Sequence, residues 1–361
     1  MPKVLRLVLL IAGAIVAFVV MRPHAGALLD ALRQVGPRFA GIQLASALVF
    51  LLDALGWRLA FVHGQAPVGF LRLFNIRMAG EALNRITPLA SMGGEPVKAM
   101  LLTRATGHAY GNLASVAIAK NTMTLAQISF IFTGIVFALI ARPDKSALLL
   151  WLGAFPGLVL TAMLVTAVLD TSFRRARRSS GSVAGGAGDR WRAVRVRVLS
   201  VWSEVADFYW NQPLAFLLSF LAFYLGWAAG AIELYLTVRA LGFELDWREA
   251  FAAEALITSV TMATFFIPAN VGSQEGGFAL LSHLYALSEP VTLAMAVVRR
   301  CRETVWVLYG LVCLFLMEGR ILLTAESLRP MGSRPDVEKL EPRENPSAAE
   351  PTPASAPTPA R

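Results

Sequence analysis

Apolar runs long enough to cross a hydrocarbon core of about 30 Å recur along this chain. They lie at Val4–Val20, Ala40–Val62, Leu113–Ile140, Leu148–Leu169, Leu214–Leu236 and roughly Val291–Met317. Such runs fold as helices, because in lipid every backbone N–H and C=O must find its partner within the protein. Composition points the same way: 56% of the 361 residues are hydrophobic and 16% charged, whereas soluble domains carry about 25% charge. The expected fold class is an all-α polytopic membrane protein with about six transmembrane helices. The first run follows Lys3 and Arg6 and precedes the small residues Ala25-Gly26-Ala27. Its core is longer than the ~7–15 residues of a signal peptide, so it reads as an uncleaved anchor.

Two further apolar stretches, Phe70–Leu102 and Phe251–Tyr285, carry Pro and a Gly cluster at their middle with Glu on both sides. An interrupted segment survives at membrane depth only when buried in protein or lining a wet cavity. Both are therefore expected to be re-entrant helix–loop–helix hairpins, giving eight spans if the hairpins are counted. Between residues 171 and 200 lie eight arginines in a Ser/Gly-rich loop, which the positive-inside rule places in the cytoplasm. Counting spans backward puts both termini there too, although Arg22, Arg33 and Arg38 then fall outside. The net charge of +9 concentrates in such short segments, a pattern of membrane orientation rather than nucleic-acid binding. Trp191, Trp202 and Trp210 suit an interfacial helix after the basic loop. Residues 326–361 are Pro- and Ala-rich and read as a disordered tail. Cys301 and Cys313 stand in one apolar segment, about 18 Å apart on a helix, beyond disulfide reach.

The chain also repeats itself. At an offset of 180 residues Pro88 falls on Pro268, Glu95 on Glu275, Ala99 on Ala279, Leu101 on Leu281, Ala114 on Ala294 and Lys120 on Arg300. Gly80-Glu81-Ala82-Leu83 is matched by Ala253-Glu254-Ala255-Leu256 at a shifted spacing. The membrane domain, 1–325, thus divides into repeat one (about 40–140) and repeat two (about 214–320). In the topology above the hairpins enter from opposite sides, an inverted repeat of the kind that frames transporter binding sites.

The segments GEALNRITPLASMGGEPVKAMLL, from Gly80, and FIPANVGSQEGGFALL, from Phe266, resemble the paired signatures of the flippase-like membrane domain of lysylphosphatidylglycerol synthases and its stand-alone bacterial relatives. The resemblance covers roughly residues 1–325. It implies a multi-pass protein of the bacterial inner membrane that moves lipids or lipid-linked molecules between leaflets. Bifunctional members continue into a cytoplasmic aminoacyltransferase domain, where this chain carries its Pro-rich tail, so synthase activity is not expected.

The candidate substrate-binding residues are the polar groups of the broken segments and of the helix that follows each. From the first hairpin come Glu81, Asn84, Arg85, Gly93, Gly94, Glu95 and Lys98, followed by Lys120; from the second, Glu254, Asn270, Gly272, Gln274 and Glu275, followed by Arg299, Arg300, Arg302 and Glu303. Arg85, Lys98 and Lys120 would attract a phosphate, with Glu81 and Glu95 positioning the cations or taking protons; alternatively, these charges form internal salt bridges and helix caps. The glycines would allow positive-φ turns, a close backbone approach and anion-binding amides. The arginines from Arg299 onward either face a wet cavity and pair with acids, or sit at the margin of a span beginning near Val305. Arg299, Arg302 and Glu303 share a helix face, allowing one pair and a spare cation. Asp53 and Arg58 could neutralise each other or another helix, and Glu233 is a further intramembrane charge.

The leading reading is a translocase for an anionic lipid or lipid-linked molecule, with membrane lipids as its partners. Alternatives are an intramembrane enzyme of lipid or lipid-glycan metabolism, and a scaffold for lipid-synthesis enzymes. No P-loop, HExxH or GxSxG motif occurs, so neither an ATPase nor a metal or other cofactor is expected.

Overall fold

The computed structural model describes residues 33–61, 68–86, 93–107, 109–179, 201–202, 204–267, 270, 272–285 and 287–323. The Val4–Val20 run, both hairpin prolines (Pro88 and Pro268), most of the basic loop and the tail lie outside them. Among the described residues there is no strand. The principal helices are α1 (Phe39–Leu59), α2 (Phe70–Ile86), α3 (Gly94–Thr106), α4 (Ala109–Ala141), α5 (Ser146–Ser179), α6 (Pro213–Ala240), α7 (Trp247–Ala263), α8 (Ser273–Tyr285) and α9 (Glu289–Leu323). Residues 204–211 form a short helix before α6, and Trp202 and Trp210 beside it are exposed.

Among the described residues, four stretches are long and apolar enough to cross a membrane: Arg33–Leu59, Gly111–Ala141, Pro143–Thr166 and Pro213–Ala240. They coincide with four of the runs read from the sequence. The helices of the broken segments are shorter. α2 and α7 have 17 residues each, and α3 and α8 have 13 each, about 25 and 20 Å at 1.5 Å per residue. None could cross the core unaided. Each pair packs on itself as a hairpin. Asp246 and Glu249 start α7 with a capping box, the two side chains exchanging bonds with each other's backbone N–H.

The helix order α1–α2–α3–α4 recurs as α6–α7–α8–α9, with α5 between. Starting residues Ala109 and Glu289 of the long helices α4 and α9 are 180 apart. α1 and α6 run antiparallel and pack closely, and their contacts exchange under the same offset. Ser46 Oγ donates to Glu233 Oε2 at 2.9 Å; 180 residues on from Ser46 is Gly226, and 180 back from Glu233 is Asp53. A Cβ on Gly226 would indeed lie 3.1 Å from Asp53 Oδ1. Across the halves, Gly134 of α4 receives Ala255 of α7, and Gly310 of α9 receives Ala82 of α2.

The hairpins open at opposite ends of the α1–α6 pair. Arg58, at the end of α1, donates to the Val68 carbonyl just before α2. Gln34, before the start of α1, donates to the Leu241 carbonyl at the end of α6, close to α7. Two apolar cores result. One gathers Leu73, Leu83, Val97 and Leu102 of the first hairpin with Ile118 of α4. The other gathers Leu256, Ile257, Phe278 and Leu281 of the second with Ile131 and Ile135.

Candidate functional site

A cavity of about 440 Å³ is lined from both hairpins and from α1, α4, α5, α6 and α9. Five carboxylates and five basic side chains line it, and packing decides how they pair. Arg77 on α2 bonds Asp53 on α1 at 2.6 Å, both buried. Arg302 on α9 lies 3.0 Å from Glu233 on α6, and Arg299 pairs with Glu254 on α7. Arg85 bridges Glu303 at 2.9 Å and Glu81 at 3.4 Å, tying the first hairpin to α9. Arg300 continues the chain, reaching Glu303 at 3.2 Å and Glu275 at 2.9 Å, and donates to the Asn270 carbonyl at the second tip.

Lys120 is the exception. It lines the cavity from α4, and no acid among the described residues lies within ion-pair distance of it. Glu95, one of the two acids expected to position the cations, is taken by Lys98 at 3.0 Å and by Asn84 Nδ2 at 3.3 Å. Among the described residues, four further donors of wall residues are buried without a hydrogen-bond partner, Gln274 Nε2, Trp227 Nε1, Arg77 Nε and Arg302 Nε, and so is one acceptor, Glu254 Oε2. α5 contributes the apolar Phe155 and Val159 to the lining, on a helix whose Leu150, Trp151 and Leu158 are exposed.

Of the residues expected from sequence, the cavity brings together Glu81, Asn84, Arg85, Lys120, Glu254, Asn270, Gln274, Arg299, Arg302 and Glu303. Glu95 and Lys98 instead line a small crevice behind Lys120 and Arg77. Glu275 and Arg300 brace the second tip: Glu275 Oε2 accepts from the Gly272 N–H at 2.8 Å. Asn84 Oδ1 accepts from the Gly94 N–H at 2.7 Å, capping α3 across the hairpin. These two glycine amides are therefore already bonded rather than presented to an anion.

One reading needs correction, and two others had left alternatives. Gly93 has φ −64°, not a positive φ; Gly272 does have one, at +83°, and Gly94 serves close approach, since a Cβ there would meet the Gly80 carbonyl oxygen at 1.9 Å. Of the two alternatives for Asp53, the charge of another helix is its partner, Arg77 on α2, while Arg58 bonds a backbone carbonyl. The arginines of α9 take the first of their two alternatives in that all three are paired to acids. The spare cation is thus on α4, not α9.

Sequence reasoning left Arg77, Trp227, Phe155 and Val159 out of the site. Asp53 and Glu233, seen only as isolated charges, carried a signal that could have found them: they stand 180 residues apart, and each holds an arginine in the cavity.

A UPF0104 membrane protein of Methanothermobacter thermautotrophicus is 22% identical over 316 residues, covering 81% of this chain and 89% of that protein. No solved structure matches significantly. The family described as lysylphosphatidylglycerol synthase TM region matches residues 5–311. With that match spanning most of the chain, both hairpins and the charged cavity between them, this protein is a multi-pass membrane protein that belongs to the lysylphosphatidylglycerol synthase transmembrane-region family.

Proposed function

We propose that the chain is a flippase-like translocase of a bacterial cytoplasmic membrane, moving an anionic lipid or lipid-linked molecule between leaflets. Family membership supports a role in lipid metabolism or transport. The observation that carries the finer reading is Lys120, a cation without an ion-pair partner in a cavity whose other basic groups are neutralised. No carboxylate among the described residues lies within ion-pair distance of it, so its ammonium has donors to offer an anionic head group. Gln274 and Trp227 add donors suited to phosphate oxygens. The apolar wall on α5 is where acyl chains would lie while the head group occupies the polar end. Two halves opening at opposite ends of the α1–α6 pair suit access from each leaflet in turn.

The test is leaflet exchange of labelled phosphatidylglycerol in liposomes containing the purified full-length chain. Exchange above empty liposomes, lost in Lys120→Met, is expected. No exchange, or exchange indifferent to Lys120→Met, overturns the reading. Conversion of the lipid without exchange would favour an intramembrane enzyme instead.

A further inference from the structure

The charges of this cavity sum to zero. Five carboxylates stand against five basic groups on its wall, and the neighbouring pairs Glu95–Lys98 and Glu275–Arg300 add nothing net. The residues joining the helices at the two tips, 87–92 and 268–271, contain no Asp, Glu, Lys or Arg. A phosphodiester entering such a site finds donors to bond, yet leaves the enclosed set one negative charge in excess. In a low-dielectric pocket that excess is costly and is relieved most directly by a proton.

Among the five carboxylates of the wall, Glu254 is the one with an oxygen that is both buried and unbonded among the described residues. Glu233 uses both oxygens, on Arg302 and Ser46. Glu303 also uses both, on Arg85 and Arg300. Glu254, a residue of the cavity wall, uses one, on Arg299, while its Oε2 is buried and unbonded among the described residues. We infer that an anionic head group binds here together with one proton, carried on Glu254 Oε2. The proton turns that oxygen from an acceptor into a donor, which joins Lys120, Gln274 and Trp227 in facing the anion. Oε1 remains available to Arg299, whose charge then balances the phosphate; the Phe278 ring, with its centroid 5.5 Å from that guanidinium, supports the cation from its other side.

The groups that bear on Glu254 from its neighbours are Glu233 on α6, Arg299 and Arg302 on α9, the uncharged Gln274 on α8 and Lys120 on α4; α5 contributes only Phe155 and Val159. Glu233 disfavours a second negative charge nearby, while the arginines and Lys120 favour it. The arriving phosphate is the new term that shifts the balance toward protonation.

This inference rests on the translocase reading, and binding to the full chain in detergent separates the two. Short-chain phosphatidylglycerol is added in weakly buffered solution, with binding followed by calorimetry and proton uptake by a pH indicator. About one proton taken up per lipid bound is expected, with affinity falling roughly tenfold per pH unit over the range in which the empty site has lost its proton and the loaded site still keeps it. Short-chain phosphatidylethanolamine, whose ammonium brings its own counter-charge, should bind without uptake. Glu254→Gln should bind phosphatidylglycerol with no uptake and no pH dependence, and Glu254→Asp should restore both. Phosphatidylglycerol binding without proton uptake overturns the inference and leaves the translocase reading standing; absence of binding removes both. Uptake that persists in Glu254→Gln, or that equally accompanies phosphatidylethanolamine, overturns it too, and the wild-type comparison of the two lipids decides the matter if the variant does not fold.

Discussion

Lys98 and Phe278 occupy matching places in the two halves, 180 residues apart, and the difference between them governs where spare charge falls. In the second half, with Phe278 unable to bond a carboxylate, Arg300 takes Glu275. In the first half Lys98 takes Glu95 at 3.0 Å, so Lys120, the counterpart of Arg300, is left to the cavity. Lys98→Met should therefore release Glu95 to capture Lys120 and reduce phosphatidylglycerol exchange about as far as Lys120→Met does, although Lys98 does not line the main cavity. Exchange rates of the two variants and of Lys98→Met/Glu95→Gln check this, the last expected to recover activity because Lys120 is freed again. Such pairings were largely illegible in the sequence. Asp53 has Arg58 five residues away on the same helix, whereas its actual partner comes from α2. Which side chains meet depends on how antiparallel helices cross, and no short window of residues contains that.

Elements were far more legible, because apolar length, Pro–Gly interruption and a capping box are local. The short helices at α2, α3, α7 and α8 follow from breaks visible in the residues. What those breaks required of the backbone was less visible. Gly94 is needed where α3 folds back on α2, with the Gly80 carbonyl in the space a Cβ would fill. Gly94→Ala should destabilise the protein by about 1–3 kcal/mol through overpacking, while Gly276→Ala, which meets nothing within 4 Å, should be neutral or slightly stabilising; thermal unfolding in detergent compares them. In α5, Pro156 has no N–H to give the Leu152 carbonyl, and Ser259 Oγ on α7 donates to that oxygen instead. Ser259→Ala should cost about 1–2 kcal/mol. In a Pro156→Ala background, where the helix bonds Leu152 itself, the same change should cost much less. A double-mutant cycle on unfolding midpoints reads the difference.

For the whole molecule, the 180-residue offset is legible as a handful of matched residues, and Ala109 and Glu289, which begin α4 and α9, stand at the same offset. A weak repeat in sequence is expected of two halves whose apolar positions need only be apolar, while the positions that must meet across the α1–α6 crossing are held more narrowly. That crossing also fixes a testable geometry. The first hairpin ends at Thr106 and the second is approached through Glu244 and Asp246, and these two mouths lie at opposite ends of α1 through the Arg58–Val68 and Gln34–Leu241 bonds. α1 has 21 residues, about 31 Å of helix, enough to separate the mouths by the full hydrocarbon thickness. With Cys301 and Cys313 replaced by Ser, a cysteine at exposed Arg104 and one at exposed Glu244 should therefore react with a membrane-impermeant maleimide from opposite compartments. One should label in intact cells and the other only after permeabilisation. Labelling of both from one side would mean that α1 does not cross the bilayer, and a site alternately reached from the two leaflets would then have no structural basis.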